Sequence, residues 1–147
     1  MNRRRFLIMA GGAVIALSAG PARATPATVA AAMQAALGAA IVKPGRVKLD
    51  IPLLVENGNA VSMTVSMAEP LAAGERVRSL HVFADGNPLP NVMNVTFGPR
   101  AGAPRIATRI RLATSQTVTA IVRMEDGSCW SDSVELLVTL AACVDAG

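Results

Sequence analysis

Only Val144, Asp145, Ala146 and Gly147 follow Cys143. A thiolate is a strong nucleophile, and a thiol on a short stretch beyond a rigid scaffold can reach into another protein. Cys143 is therefore a candidate covalent attachment point rather than a core residue. Few other residues offer chemistry. Cys129, beside Trp130 and after the Asp126-Gly127 turn, reads as a packed or edge residue. His81 is the one histidine, placed in the middle of a strand. It could pair with Cys143 as base and nucleophile, or be a structural or solvated strand residue. Arg109 and Arg111 alternate with Ile110 and Leu112 and so share one strand face. That face is either solvated or turned to an anionic substrate or an acidic partner.

Several enzyme classes lack their residues. A single histidine does not build a usual zinc site. The carboxylates are scattered, with no pair suggesting glycosidase chemistry. There is no glycine-rich phosphate loop and no Cys-x-x-Cys-His haem attachment. With no tyrosine and three phenylalanines, an aromatic ligand platform is not expected either. No bound cofactor is expected.

The elements that must position Cys143 follow from periodicity. Pro26 to Ile41 is alanine-rich, with Val29, Met33, Leu37 and Ile41 recurring every four residues. This predicts a helix within residues 25–42 that Lys43-Pro44-Gly45 ends. It would lie either on the domain's own core or at a partner interface. From Val47 onward the period is two. Val47, Leu49 and Ile51 form one strand face, and Val61, Met63, Val65 and Met67 a second, after a Glu56-Asn57-Gly58-Asn59 turn. Leu80 and Val82, Val92 to Phe97, and Ile106, Ile110 and Leu112 give three more. Val118, Ala120, Val122 and Met124 precede the Asp126-Gly127 turn, and Val134 to Leu140 is the last strand. Short alternating strands separated by turns predict an all-β, immunoglobulin-like antiparallel β-sandwich over residues 43–140, with an N-terminal helix and a flexible tail at 141–147. Val134 to Leu140, extended, separates Cys129 from Cys143 by roughly 20 Å or more. A disulfide needs Cα atoms within about 7 Å, so an intrachain bridge is disfavoured.

Residues 1–24 set the expected compartment. Arg3, Arg4 and Arg5 precede an apolar stretch from Phe6 to Ala19 and an Ala22-Arg23-Ala24 cleavage pattern. Arg3-Arg4-Arg5-Phe6-Leu7 is similar to a twin-arginine export signal, with Asn2 where Ser or Thr is usual. The stretch is short for a spanning helix. The chain has 14 Lys and Arg against 10 Asp and Glu. Four of the basic residues fall in the leader, which leaves a near-neutral mature protein of about 120 residues, enough for one domain. Nothing in that balance points to nucleic acid or an anionic membrane.

Several short motifs, in order, resemble the SoxY family, the sulfur-carrier subunit of the bacterial Sox thiosulfate-oxidising system. They are Val47-Lys48-Leu49-Asp50-Ile51-Pro52 followed by Glu56-Asn57-Gly58; Asn87-Pro88; Thr108-Arg109-Ile110-Arg111-Leu112-Ala113 with Gln116, Val118 and Ala120; Asp126-Gly127; and Val138-Thr139-Leu140 running into Cys143. The resemblance implies an immunoglobulin-like sandwich in the periplasm, paired with a second sandwich, SoxZ. It implies that Cys143 carries the substrate covalently. A c-type cytochrome would couple thiosulfate to the thiol, a dimanganese hydrolase would remove sulfate, and a sulfane dehydrogenase would oxidise the remaining sulfur. Family tails read Gly-Gly-Cys-Gly-Gly. Here Ala141-Ala142 and Val144-Asp145 replace the two glycine pairs, which restricts φ beside the sulfur and adds a negative charge. A divergent paralogue acting as a non-catalytic assembly or binding subunit is the alternative, and it would need a partner but not Cys143.

Overall fold

The computed structural model describes residues 24–142. The leader expected up to Ala24 lies almost wholly outside the described residues, as do Cys143 and the rest of the expected tail. The helix, α1, spans Pro26–Leu37. Thr25 and Thr28 form a capping box, Thr25 Oγ1 accepting from the Thr28 N–H (3.2 Å) and Thr28 Oγ1 from the Thr25 N–H (2.7 Å). Pro26 opens the first turn, where a missing N–H costs nothing. The helix ends four residues before the expected Ile41. Gly38 adopts φ 66°, and its N–H closes the last turn on Gln34 (2.7 Å). Glycine takes that conformation without the clash of a Cβ. The four-residue stripe therefore stops at Leu37, which is buried, while Ile41 is 79 % exposed.

The strands are β1 (Val42–Pro44), β2 (Val47–Asp50), β3 (Leu54–Val55), β4 (Val61–Met67), β5 (Val77–Ala84), β6 (Asn91–Thr96), β7 (Arg105–Ile110), β8 (Gln116–Met124) and β9 (Cys129–Val138). They form two sheets, as the alternating pattern predicts. One has the order β1-β9-β8-β5-β6 with β3 also on β9, and the other β2-β4-β7. The main ladders are antiparallel, whereas β1 and β3 run parallel to β9. The facing sides hold one core that includes Val47, Leu49, Val65, Leu80, Val82, Leu112, Val118, Val122 and Leu136. Asp132 Oδ2 accepts the Leu49 N–H (2.8 Å) and so ties β9 to β2 between the sheets. A hydrogen bond to a charged group of this kind contributes about 1.5–3 kcal/mol.

The outer face of the larger sheet carries a second cluster. Leu37 packs there against Phe83, Ile121 and Cys129, with Met33, Ala36 and Val42 around them. The helix thus covers the domain's own sheet, the first of the two placements open from the sequence. Arg123 lies beside this cluster, its Nη1 donating to the last helical carbonyl, Leu37 (3.5 Å).

The last strand begins at Cys129, five residues before the expected Val134. Its first half, Cys-Trp-Ser-Asp-Ser, lacks apolar alternation because neighbouring elements satisfy its polar groups. Asp132 holds β2, and the Ser133 hydroxyl bonds that of Thr119 (2.8 Å). The two-residue β3 and the three-residue β1 were not expected. Neither is long enough to display a period, and both are defined by pairing with β9.

Candidate functional site

Cys143 is one peptide bond beyond Ala142, the last described residue, and several backbone hydrogen bonds hold the chain up to that point. After β9 the backbone is laced to two loops. The Leu137 N–H donates to Leu53 O (2.9 Å) and the Thr139 N–H to Val55 O (2.9 Å). The Thr139 hydroxyl reaches Glu56 O (3.2 Å). Gly58 donates its N–H to Leu140 O (2.8 Å) and accepts that of Leu112 at its own carbonyl (2.8 Å). Ala142 then donates its N–H to Leu112 O (3.1 Å). Ala141 and Ala142, assigned to a flexible tail from sequence, are therefore on a segment that is still held, and Ala142 is buried.

Gly58 makes this lacing possible. A Cβ there would lie 2.3 Å from Leu112 O, 3.0 Å from Ala142 N and 3.1 Å from Val138 Cγ1. The close approach of three backbone segments requires a residue with no side chain. Sequence reasoning marked Glu56-Asn57-Gly58-Asn59 only as a turn and missed that it anchors the far end of the chain. The turn itself is closed by Asn57 Oδ1, which accepts the Asn59 N–H (2.9 Å). Leu53, Leu54, Leu137 and Leu140 are each 59–69 % exposed around the same segment.

The other candidates fall elsewhere. His81 is buried in β5, with Nδ1 2.5 Å from Asn94 Oδ1 and Nε2 2.9 Å from Ser79 Oγ. An Nδ1–H tautomer donates to Asn94 and accepts from Ser79, which satisfies both ring nitrogens and leaves neither to activate a thiol. Cys129 is 1 % exposed under α1, and burial pushes its thiol up from the ordinary range. It sits at the start of β9 and Ala142 lies beyond the opposite end. Ten residues of strand span about 30 Å, so the geometry keeps disfavouring a bridge to Cys143. Native Cys129 is expected to resist alkylation at pH 8 and to react fully once the chain is unfolded in guanidinium. A raised folded pKa stabilises the fold below the ordinary thiol pKa, and that contribution is lost as pH rises through the folded value. The urea midpoint should fall above about pH 8.5 more steeply than in Cys129→Ala.

Arg109 and Arg111 both point outward, Ile110 and Leu112 inward. They line a cleft of about 320 Å³ with Asn87, Leu89, Asn91, Val92 and Ile110. Asn87 fixes its floor. The Asn87 amide donates to Arg111 O (2.9 Å) and its oxygen accepts from Ala113 N (2.9 Å) and Gln116 Nε2 (3.1 Å). No group of three or more His, Cys, Asp and Glu among the described residues could hold a metal ion. No helix among them is long and apolar enough to cross a membrane.

The fold and this end geometry can be set beside known proteins. The family model described as Sulfur oxidation protein SoxY matches residues 33–143, most of the chain, and its match ends on Cys143. The chain belongs to the SoxY family. Among solved structures it is similar to the sulfur carrier protein SoxY from Chlorobium limicola f thiosulfatophilum. The TM-score is 0.66 at 22 % identity, over 79 % of this chain and 100 % of that one. The same sandwich is found in superoxide reductases. The neelaredoxin of Ignicoccus hospitalis matches at TM-score 0.52 and 23 % identity, covering 63 % of this chain and 79 % of its own. The enzyme of Nanoarchaeum equitans matches at 0.53 and 12 %, covering 65 % and 100 %. These likenesses concern the fold alone. No individual curated protein sequence matches. For a SoxY-family chain the immunoglobulin-like sandwich expected from strand periodicity is what the two packed sheets form.

Proposed function

We propose that this chain is a periplasmic carrier that binds thiosulfate-derived sulfur compounds covalently through Cys143 and presents them to the enzymes of a Sox system. The observation that carries this reading is the family match running through to Cys143. The hydrogen bonds that hold the chain through Ala142 support it, because a carrier thiol needs a rigid domain secured up to the residue before it. In the loading step the Cys143 thiolate and the sulfane sulfur of thiosulfate form an S–S bond. The product is a cysteine S-thiosulfonate, and the electron pair released passes to a c-type cytochrome. Water then attacks the sulfonate sulfur in a dimanganese hydrolase. The bond between the sulfane and sulfonate sulfurs breaks, sulfate and two protons leave, and the persulfide stays on Cys143 for a sulfane dehydrogenase to oxidise. The chain itself is a carrier and not an enzyme. It holds the adduct, while the partners supply acid, base, metal and oxidant.

A SoxZ-like sandwich is the proposed stable partner and the twin-arginine-type leader the proposed export route. The exposed leucines around the exit suit transient docking.

The substituted tail favours a second reading, an assembly subunit that does not use its thiol. Reconstitution separates the two. The mature chain, its partner subunit, an oxidised c-type cytochrome of the system and thiosulfate are expected to give stoichiometric cytochrome reduction and a reductant-sensitive mass gain on Cys143. Partner binding with neither signal would leave the assembly reading.

A further inference from the structure

The outer faces of the two sheets differ. On the larger sheet α1 lies over Phe83, Ile121 and Cys129. On the smaller, β2-β4-β7, Val47, Leu49, Val65 and Ile110 belong to the core, so their neighbours along each strand face outward. Register sets those neighbours in rows. Lys48, Ser66 and Arg105 form one row, Asp50, Thr64 and Ala107 the next, and Ser62 with Arg109 a third. Thr64 and Ser66 are half-buried and the others exposed, so no described element covers this face. Arg111, also exposed, continues the line just past the end of β7.

The charge here is segregated. Residues 86–124 hold five arginines and no Asp, Glu or Lys, and Arg105, Arg109 and Arg111 stand along this one edge. Asp50 is the one carboxylate in the three rows. Among the described residues the one ion pair is Arg46–Glu75, so no close carboxylate neutralises Lys48 or the three arginines. The floor between the cations is low. Ser62, Thr64, Ala107 and Thr108 line a shallow hollow of about 380 Å³ beside Arg109. From residue 105 to 111 the face runs about 20 Å, and three strands make it about 10 Å wide. Guanidinium forks over such a floor suit carboxylates on a facing surface. The face lacks the large apolar anchors of a stable interface. Small, charged contacts of this kind are those of weak redox encounters, where charge speeds association and the complex parts quickly.

We propose that the outer face of β2-β4-β7, with Arg105, Arg109 and Lys48 as its cations, is the docking surface for an acidic patch on the redox protein that loads the carrier. The proposal rests on the carrier reading and adds the face and the charge through which that partner is met. The floor hydroxyls admit the partner's carboxylates between the cations.

The test mixes the oxidised c-type cytochrome of the reconstitution above with the mature chain bound to its partner subunit, and follows association by stopped flow. Arg105→Gln/Arg109→Gln is expected to associate about 10-fold more slowly at low salt. The difference should vanish in about 0.5 M salt, where the Debye length is about 4 Å. Saturating cytochrome should restore the parent's stoichiometric reduction, because the arginines dock the partner and take no part in the chemistry. Arg76→Gln/Arg78→Gln removes the same charge from exposed positions off this face and should associate like the parent. In the labelled parent, cytochrome should move the amide signals of Ser62, Thr64 and Ala107. Full reduction with Arg105→Gln/Arg109→Gln as fast as the parent would overturn the docking face and leave the carrier intact. Equal slowing in both double variants would overturn it in favour of net charge alone. Loss of the partner subunit from Arg105→Gln/Arg109→Gln would overturn it in favour of a stable interface. A parent that neither reduces the cytochrome at saturation nor gains mass on Cys143 would sink the carrier reading and the docking face together.

Discussion

Cys143→Ser is expected to reduce thiosulfate-dependent turnover to the level of cells lacking the gene, a loss of at least ~10³-fold, since removing a covalent nucleophile costs up to ~10⁶ elsewhere. A serine oxygen cannot form the S–S bond on which every later step acts. No other thiol can substitute. Cys129 is buried under α1, and strand β9 separates it from the exit at Ala142. The fold should be indifferent to the change, because the bonds of Thr139, Leu140 and Ala142 that secure the end of the described domain are made by backbone atoms that a Cys143 side-chain change leaves in place. The melting temperature and the complex with the partner subunit are therefore expected to match the parent. Turnover, measured as thiosulfate-dependent oxygen uptake, separates the readings. An assembly subunit would lose nothing, and full activity in Cys143→Ser would rule out the carrier.

The largest stability effect is expected at Gly58. Gly58→Val would put a branched side chain where a Cβ alone meets a backbone carbonyl oxygen at 2.3 Å. That neighbour is backbone and cannot swing away, so the turn must move. Movement breaks the Gly58–Leu140 and Leu112–Gly58 hydrogen bonds and strains the Ala142–Leu112 bond. Overpacking of this kind costs about 1–3 kcal/mol, and each lost backbone bond adds about 1 kcal/mol. We expect a total of about 3–5 kcal/mol and a fall in melting temperature of roughly 10–20 °C. Gly102→Ala, with open space around it and an ordinary φ, is the control and should be neutral within about 0.5 kcal/mol. Amide exchange at Ala142 should accelerate in Gly58→Val ahead of global unfolding. A melting temperature within 2 °C of the parent would contradict the anchoring role, given the ~4 °C expected per kcal/mol.

Much of the scaffold was legible because burial on one face imposes a period. Val61, Met63 and Val65 alternate with Ser62 and Thr64, and β4 follows that pattern through Met67. Val118 to Met124 is equally plain in β8. Where neighbours replaced hydrophobic burial with hydrogen bonds, the period vanished. The first half of β9 is held by Asp132, Ser133 and pairing with β1, none of which alternation reveals. The helix end was misplaced because its four-residue rhythm passes over Gly38, whose positive φ stops the helix whatever follows. Cys143 was singled out for the proposed carrier role from its chemistry and position. Its anchor was not, because Gly58, Leu112 and Ala142 are far apart in the chain and meet through backbone atoms alone. The basic cleft was half visible. Arg109 and Arg111 stood out as a strand face, but the edges of β6 and β7 that frame the cleft appear only when the two sheets are packed.

The most direct test of the central claim is the intact mass of the exported protein, with peptide mapping around Cys143, from cells grown on thiosulfate. The account predicts sulfane or thiosulfonate adducts confined to Cys143 and removed by reductant. A bare Cys143 thiol under every growth condition, with the partner subunit still bound, would contradict it.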